Sequence, residues 1–314
     1  MKNFIYTFLL VLLFATPAMQ AQEAITPYIR VFPQTLASMG LHGPVKSVHY
    51  TEWYLSKKDT FKRESAYFFN AKGLITQEIF IDSCMHVHHE STHSYDSLGR
   101  FVSTIFSDGS YRREAFYDSL GHFIYSIDTR NGFTEDNFIR YYYDEKGRCI
   151  YHEYIPNSDD EKMEYGYDVL RRVYQYDSLD RCILGAELVD GDTSYVETRE
   201  YDINGNIIKA THYIPSSDEL VMTSLYSYNK DNLLEKSQSY YGEELINENV
   251  CEYDDQNQMI RLFIYNKNRQ PNMREECEYD IHHNRIKTEV YYYNEDAPVT
   301  LTYWKQIDYE YYEE

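Results

Sequence analysis

The chain has 314 residues, and its 51 acidic side chains outweigh 30 Lys and Arg to leave a formal net charge of −21. A chain this acidic is repelled by nucleic acid and by anionic membranes, so neither is expected as a partner. With 35 tyrosines, 17% aromatic and 26% charged residues, the composition excludes an intrinsically disordered chain and favours strands.

Met1 to Ala21 reads as a secretory signal: Lys2 gives the positive end, Phe4 to Ala15 is apolar, and Pro17-Ala18 and Ala21 offer cleavage points. The preferred cut leaves Gln22 as the new terminus. The apolar run is short for a membrane span, so none is expected after cleavage; an uncleaved anchor is the alternative. No cysteine lies near the cut, which argues against a lipid anchor there. The expected location is outside the cytoplasm: periplasm, cell surface or extracellular. Removing 21 residues leaves 293, and losing Lys2 moves the charge from −21 to −22. That length holds one large all-β domain or two ordinary ones. Residues 22–44, with Pro27, Pro33 and Pro44, read as an irregular lead-in with one helical turn near Thr35–Met39. The rest, 45–314, reads as one repeat domain opened by strand-like alternation over Val45 to Leu55 and Phe61 to Phe69.

An aromatic residue then recurs nine times, at Phe69, Tyr95, Tyr117, Tyr143, Tyr176, Tyr201, Tyr228, Tyr253 and Tyr279, with gaps of 26, 22, 26, 33, 25, 27, 25 and 26 residues. A near-constant period of this size marks a repeat architecture. Asp or Asn always follows the aromatic, and three residues later stands Gly73, Gly99, Gly121, Gly147, Asp180, Gly205, Asn232 or Asn257. Asp or Asn opens a type I turn by capping the backbone two residues on. Gly, Asn and Asp best tolerate positive φ. The pattern predicts a three-residue hairpin loop, a type I turn followed by a left-handed residue in a bulge. The ninth copy has His283 at that position and Asn284 after it, and is read as carrying one inserted residue.

Three copies are clearest: Tyr95-Asp96-Ser97-Leu98-Gly99-Arg100, Tyr143-Asp144-Glu145-Lys146-Gly147-Arg148 and Tyr176-Asp177-Ser178-Leu179-Asp180-Arg181. In each, the Asp is expected to face the Arg across the hairpin as an exposed ion pair. One step further in, the aromatic faces the sixth residue after it. Those residues are Ile75, Phe101, Phe123, Cys149, Cys182, Ile207, Leu234, Met259 and, with the insertion, Ile286, all apolar. An aromatic opposite an apolar residue is a stabilising cross-strand pair.

Tyr-Asp-x-x-Gly-Arg followed by an apolar residue resembles the YD repeat of RHS-type proteins, over roughly residues 60–292. The resemblance implies an antiparallel strip of successive hairpins that can spiral into a hollow shell around a C-terminal passenger, often a toxin. With nine copies and no convincing self-cleavage motif, the expectation is a short form without the passenger.

Nine or ten hairpins imply about eighteen to twenty strands, and no stretch shows a long helical period. A flat sheet of that count would be roughly 90 Å wide at ~4.8 Å per strand, more than open twisted sheets sustain without curling or closing. The expected fold class is therefore all-β, with antiparallel hairpin repeats of ~25-residue period forming one long curled sheet. A closed soluble barrel is the alternative. A membrane barrel is disfavoured because Lys209, Glu235 and Lys287 interrupt any apolar outer band.

The chemistry-bearing residues are few. Cys84, Cys149, Cys182, Cys251 and Cys277 make an odd count, so at least one thiol is unpaired. Cys149 and Cys182 share one repeat position and Cys251 and Cys277 another; equivalent positions in successive hairpins lie two strands apart, roughly 9.6 Å, beyond disulfide reach. Buried free thiols are expected instead. His86 and His88 alternate on one apparent strand and are the weak metal candidates, although a His-x-His pair needs a further ligand that the sequence does not identify. Acidic clusters such as Asp159-Asp160-Glu161 lack the calcium-loop spacing. Nucleophile-elbow, phosphate-loop and Cys-x-x-Cys motifs are absent. No catalytic residue and no cofactor is expected. Tyrosines beside acids and amides suit sugar binding, whereas Tyr67, Tyr141, Tyr174 and Tyr226 also fit as packing partners two residues before the repeat aromatic. The functional expectation is an exported, non-catalytic binding or scaffold module of the cell envelope with a glycan as first candidate ligand. The alternatives are a secreted glycoside hydrolase and a protein that binds an envelope partner through a sheet edge.

Overall fold

The computed structural model describes residues 35–55, 60–82, 87–136, 139–155, 168–215, 219–294 and 297–313. The signal segment, most of the lead-in, Cys84, His86 and the acidic cluster at 159–161 lie outside these residues. No α-helix occurs among the described residues, and the 21 strands belong to one antiparallel sheet.

In chain order the first strands are β1 (Val45–Leu55), β2 (Thr60–Phe69), β3 (Ile75–Asp82), β4 (Val87–Tyr95), β5 (Phe101–Phe106), β6 (Tyr111–Tyr117), β7 (Phe123–Arg130), β8 (Phe133–Asp136) and β9 (Ile139–Tyr143). Next come β10 (Cys149–Tyr154), β11 (Leu170–Tyr176), β12 (Cys182–Val189), β13 (Asp192–Tyr201), β14 (Ile207–Ile214), β15 (Glu219–Tyr228), β16 (Leu234–Tyr241) and β17 (Glu244–Tyr253). The last are β18 (Met259–Asn266), β19 (Pro271–Tyr279), β20 (Arg285–Asn294) and β21 (Ala297–Tyr311). The strand number exceeds the expectation slightly because β8 and β9, parted by residues 137 and 138, are numbered separately.

The chain divides into two compact units. Of the described residues, one unit holds those within 142–252 and 264–270; the other holds those within 35–141, 253–263 and 271–313. In the first, β10 to β13 pair in sequence order, and so do β13 to β17. In the second, β1 pairs with β2 on one side and with β21 on the other, so the strands nearest the two ends of the chain are neighbours. Neither β1 nor β21 therefore offers a free edge, because β20 lies on the far side of β21.

All nine repeat turns are capped by their Asp or Asn and closed by a left-handed residue. The fourth residue after each aromatic has positive φ, from Asp180 at 60° to Gly121 at 90°. The Asp or Asn side chain accepts two backbone N–H groups in every copy; Asp96 Oδ1, for example, lies 2.9 Å from the nitrogens of both Leu98 and Arg100. The bulge offsets the register so that Tyr95 faces Phe101, Tyr117 faces Phe123, Tyr176 faces Cys182, Tyr201 faces Ile207 and Tyr228 faces Leu234.

The ninth copy corrects the expected insertion. His283 itself takes the left-handed conformation at φ 67°, and Tyr279 faces Arg285, not Ile286. Arg285 replaces the apolar partner because Glu275 meets its guanidinium at 2.9 Å. A tenth turn of the same kind escaped the sequence pattern. Asn266 caps the N–H groups of Asn268 and Gln270, and Arg269 stands at φ 57° where the other copies carry Gly, Asp, Asn or His.

The apolar core of the second unit is Val45, Val48, Phe69, Ile75 and Ile307, covered by Leu36, Met39 and Leu41 from the lead-in. The expected turn at Thr35–Met39 is present, with Met39 N–H donating to the Thr35 carbonyl at 2.9 Å. Asn284, freed from the bulge position, is almost fully buried and fastens this cover. It accepts from His42 N–H at 2.7 Å and donates to the His42 carbonyl at 2.8 Å.

Candidate functional site

The repeat residues are engaged in holding successive hairpins together. In the turns, Arg100 Nε lies 2.7 Å from Asp96 Oδ2, Arg148 Nη2 2.6 Å from Asp144 Oδ2 and Arg181 Nη2 2.7 Å from Asp177 Oδ2. Backbone N–H and guanidinium donors hold the Asp96, Asp144 and Asp177 carboxyls below the usual carboxylate range. Each Arg also covers the ring of the next repeat tyrosine: Arg100 over Tyr117 at 4.9 Å, Arg148 over Tyr176 at 4.7 Å and Arg181 over Tyr201 at 4.8 Å. The tyrosine hydroxyls donate backwards to the preceding hairpin. Tyr95 reaches the Ile75 carbonyl at 2.7 Å, Tyr117 that of Phe101 at 2.7 Å, Tyr176 that of Cys149 at 2.8 Å and Tyr201 that of Cys182 at 2.6 Å. Burial of these rings raises their hydroxyl pKa values, Tyr117 to about 12. Tyr309, outside the nine copies, does the same to the Arg285 carbonyl at 2.8 Å. Gly99 and Gly147 supply the positive φ of their turns.

A buried polar group occupies the first unit. On β13, Tyr195, Glu197, Arg199 and Tyr201 alternate onto one face, and the register sets Glu197 opposite Gly185 on β12 and His212 on β14. Glu197, Arg199 and His212 are all buried. Arg199 Nε lies 3.1 Å from Glu197 Oε1, and Tyr195 Oη is hydrogen-bonded to His212 Nδ1. Burial pushes the Glu197 carboxyl up against the opposing pull of Arg199. Burial, aided by Arg199, pushes His212 down to about 4. His152, within 3.2 Å of the Tyr174 hydroxyl, is pushed down to about 4 by burial and by Arg172. The period-two set that ends on the repeat residue Tyr201 was the available sequence signal for this cluster, because it places Glu197 and Arg199 on the face of the buried aromatic.

The other candidates separate. His88 is exposed on β4, and His86 lies outside the described residues. Among the described residues no group of three or more His, Cys, Asp or Glu is arranged to hold a metal ion. Cys149, Cys182, Cys251 and Cys277 are buried and form no disulfide, and burial pushes Cys149 and Cys277 up to about 12 and Cys182 up to about 11. Tyr141 and Tyr174 are buried and serve as packing partners, Tyr141 against Phe123 at 5.4 Å.

One concave feature carries mixed polar and aromatic groups. In the second unit, a cleft of about 390 Å³ is lined by Glu278, Lys287, Trp304, Gln306 and Asp308, with Asp280 and Tyr311 at its end near the ninth turn. Trp304 stacks on Trp53 with centroids 4.0 Å apart and planes 13° from parallel. Sequence reading missed this pair because the residues are joined only by the β1–β21 register.

The arrangement defines a β-hairpin-repeat protein whose conspicuous residues serve as structural ties. No protein-family model and no curated protein matches the chain. Among solved structures, similarity extends to the Photorhabdus luminescens Tc holotoxin pore at 11% identity and TM-score 0.26, over 77% of this chain and 16% of that one. It extends also to a porin-like protein from Bacteroides uniformis at 10% identity and TM-score 0.40, over 86% of this chain and 98% of that one. A DUF1329 family protein from Desulfovibrio piger is 10% identical with TM-score 0.21, over 85% and 84% of the two chains. This chain thus spans about one sixth of the Tc toxin chain it resembles.

Proposed function

We propose that the chain is an exported, non-catalytic β-repeat protein that binds or scaffolds at the cell envelope, a relative of RHS-type YD-repeat proteins. The observation that carries this reading is the use made of the reactive side chains. Repeat tyrosine hydroxyls are committed to backbone carbonyls, turn aspartates to backbone N–H groups and arginines, and the Cys149, Cys182 and Cys277 thiols are buried with raised pKa values. Groups held this way stabilise strands and are poorly poised as nucleophiles or proton carriers. The leader at Met1 to Ala21 supports export. The proposed ligand is a glycan, recognised by aromatic side chains bordered by carboxylates and amides.

The test is a glycan array on the mature protein, read together with assay for released sugar. Binding without release supports the reading. Release of sugar overturns the non-catalytic claim in favour of a hydrolase. Silence in both favours a protein partner, which would have to engage something other than the edges of β1 and β21, since these are already paired.

A further inference from the structure

The cleft on β19, β20 and β21 has a composition that selects among glycans. Its polar groups stand on neighbouring strands in one register: Glu278 opposite Lys287, and Lys287 opposite Gln306. The adjoining row is Glu289, Trp304, Trp53 and Lys62, each opposite the next. An indole pair thus lies one row from an amide, a carboxylate and an ammonium. Apolar ring surface flanked by planar hydrogen-bonding groups is what a pyranose, with its C–H face and hydroxyl rim, requires. The volume of about 390 Å³ lies within the range of small-molecule sites.

The charges narrow the ligand further. Three carboxylates, Glu278, Asp280 and Asp308, line the cleft against the single ammonium of Lys287. That ammonium is already held 3.1 Å from Glu278 and 3.3 Å from Glu289. Asp280 accepts from the Tyr311 hydroxyl and from the backbone of its own turn. Asp308 takes a hydrogen bond from Gln306 Nε2 at 3.2 Å. A carboxylate has about four acceptor positions, so Glu278 and Asp308 keep capacity for sugar hydroxyls or for an amine. No free cation remains among the lining residues to neutralise an acidic sugar.

We propose that this cleft is a binding site for neutral or amino-sugar residues of a glycan and discriminates against uronic acids. The proposal rests on the glycan reading above and adds the place and the charge preference. Trp304 supplies the apolar contact, held in position by its stack on Trp53. Gln306, Asp308 and Glu278 hydrogen-bond the hydroxyl rim.

The chain contains two tryptophans, and both belong to this stack, so its indole fluorescence and its exciton circular dichroism report on this site alone. The mature protein is titrated with cello-, manno- and malto-oligosaccharides, chitosan oligosaccharides and oligogalacturonate, with calorimetry in parallel. A saturable change in indole emission with a neutral or amino-sugar probe and none with oligogalacturonate is expected. Gln306 and Asp308 are exposed, and Q306A with D308A is expected to weaken that binding about tenfold or more through lost hydrogen bonds, with an unchanged melting temperature. Calorimetric binding that leaves the emission unchanged and survives the double substitution overturns the cleft and spares the glycan reading. Binding of no probe overturns both, and preference for oligogalacturonate overturns the charge argument.

Discussion

The end of the second unit covered by the lead-in and the buried face of β13 and β14 in the first are built on the same turn yet hold together differently. In the former, Val45, Val48 and Ile75 are wholly buried among apolar neighbours, and the polar Asn284 side chain is hydrogen-bonded to His42 and Tyr311. In the latter, Glu197, Arg199 and His212 fill positions that apolar residues could occupy; Arg199 pairs with Glu197, and His212 is hydrogen-bonded to Tyr195. The repeat dictates backbone geometry and leaves the filling of the buried face free. An apolar filling is indifferent to pH, and a titratable one makes part of the same sheet sensitive to it.

The largest expected effect lies on the apolar side. Ile75→Ala removes a wholly buried side chain at the centre of the cover, and should cost about 2–5 kcal/mol in chemical denaturation. That loss should be the same at pH 5 and pH 8. A loss below about 1 kcal/mol would mean that the site collapses freely and that the lead-in is not a packed cover.

The polar side should respond to acid. His152 and His212 have pKa values near 4 in the fold, against an ordinary value of about 6.5 in the unfolded chain. The unfolded state therefore binds more protons between these values. The stability that goes with neutral imidazoles is complete above pH ~6.5 and is lost as pH falls toward ~4. Glu197, whose pKa is raised, has the opposite slope, so His152 is the cleaner probe. His152→Gln should reduce the acid-side loss by on the order of 1–3 kcal/mol, measured as unfolding free energy at pH 7 and pH 4.5. An unchanged pH profile would show that this imidazole is not desolvated.

A smaller effect tests what the two regions share. Tyr176→Phe and Tyr201→Phe each delete one hydroxyl that ties a hairpin to its predecessor, and each should cost about 0.5–1.5 kcal/mol. Tyr125→Phe is the control, since its ring stacks on Phe116 at 4.7 Å instead of occupying a repeat position. Equal losses at Tyr125 and Tyr176 would remove the special role given to the repeat hydroxyl.

The hairpins were legible because turn chemistry is local. Asp or Asn and a residue of positive φ stand within four positions of each other, and the register follows from the loop. Asp96 with Arg100 and Tyr176 with Cys182 needed no tertiary information. The Trp53–Trp304 stack was invisible because it depends on strands at opposite ends of the sequence. Arg285 was misplaced for a physical reason: an apolar residue was required opposite Tyr279, and a half-buried Arg paired with Glu275 meets the same need. Arg269 hid the tenth turn because a bulky residue at positive φ runs against the rule that located the others.

The smallest effect addresses that misplacement directly. His283 is exposed and sits at φ 67°, a conformation in which its Cβ crowds the backbone. His283→Gly relieves the crowding and gives the unfolded chain more freedom, so the net gain should be at most about 1 kcal/mol, a rise of roughly 1–2 °C in melting temperature for a chain of this size. Asn284→Gly should do the reverse, because it severs the hydrogen bonds to His42 and Tyr311 that fasten the lead-in. With an inserted residue in this turn, the left-handed position would pass to Asn284 and the two substitutions would exchange signs. The sign of each melting shift therefore fixes the register of β19 against β20, and with it the pairing of Arg285 with Tyr279.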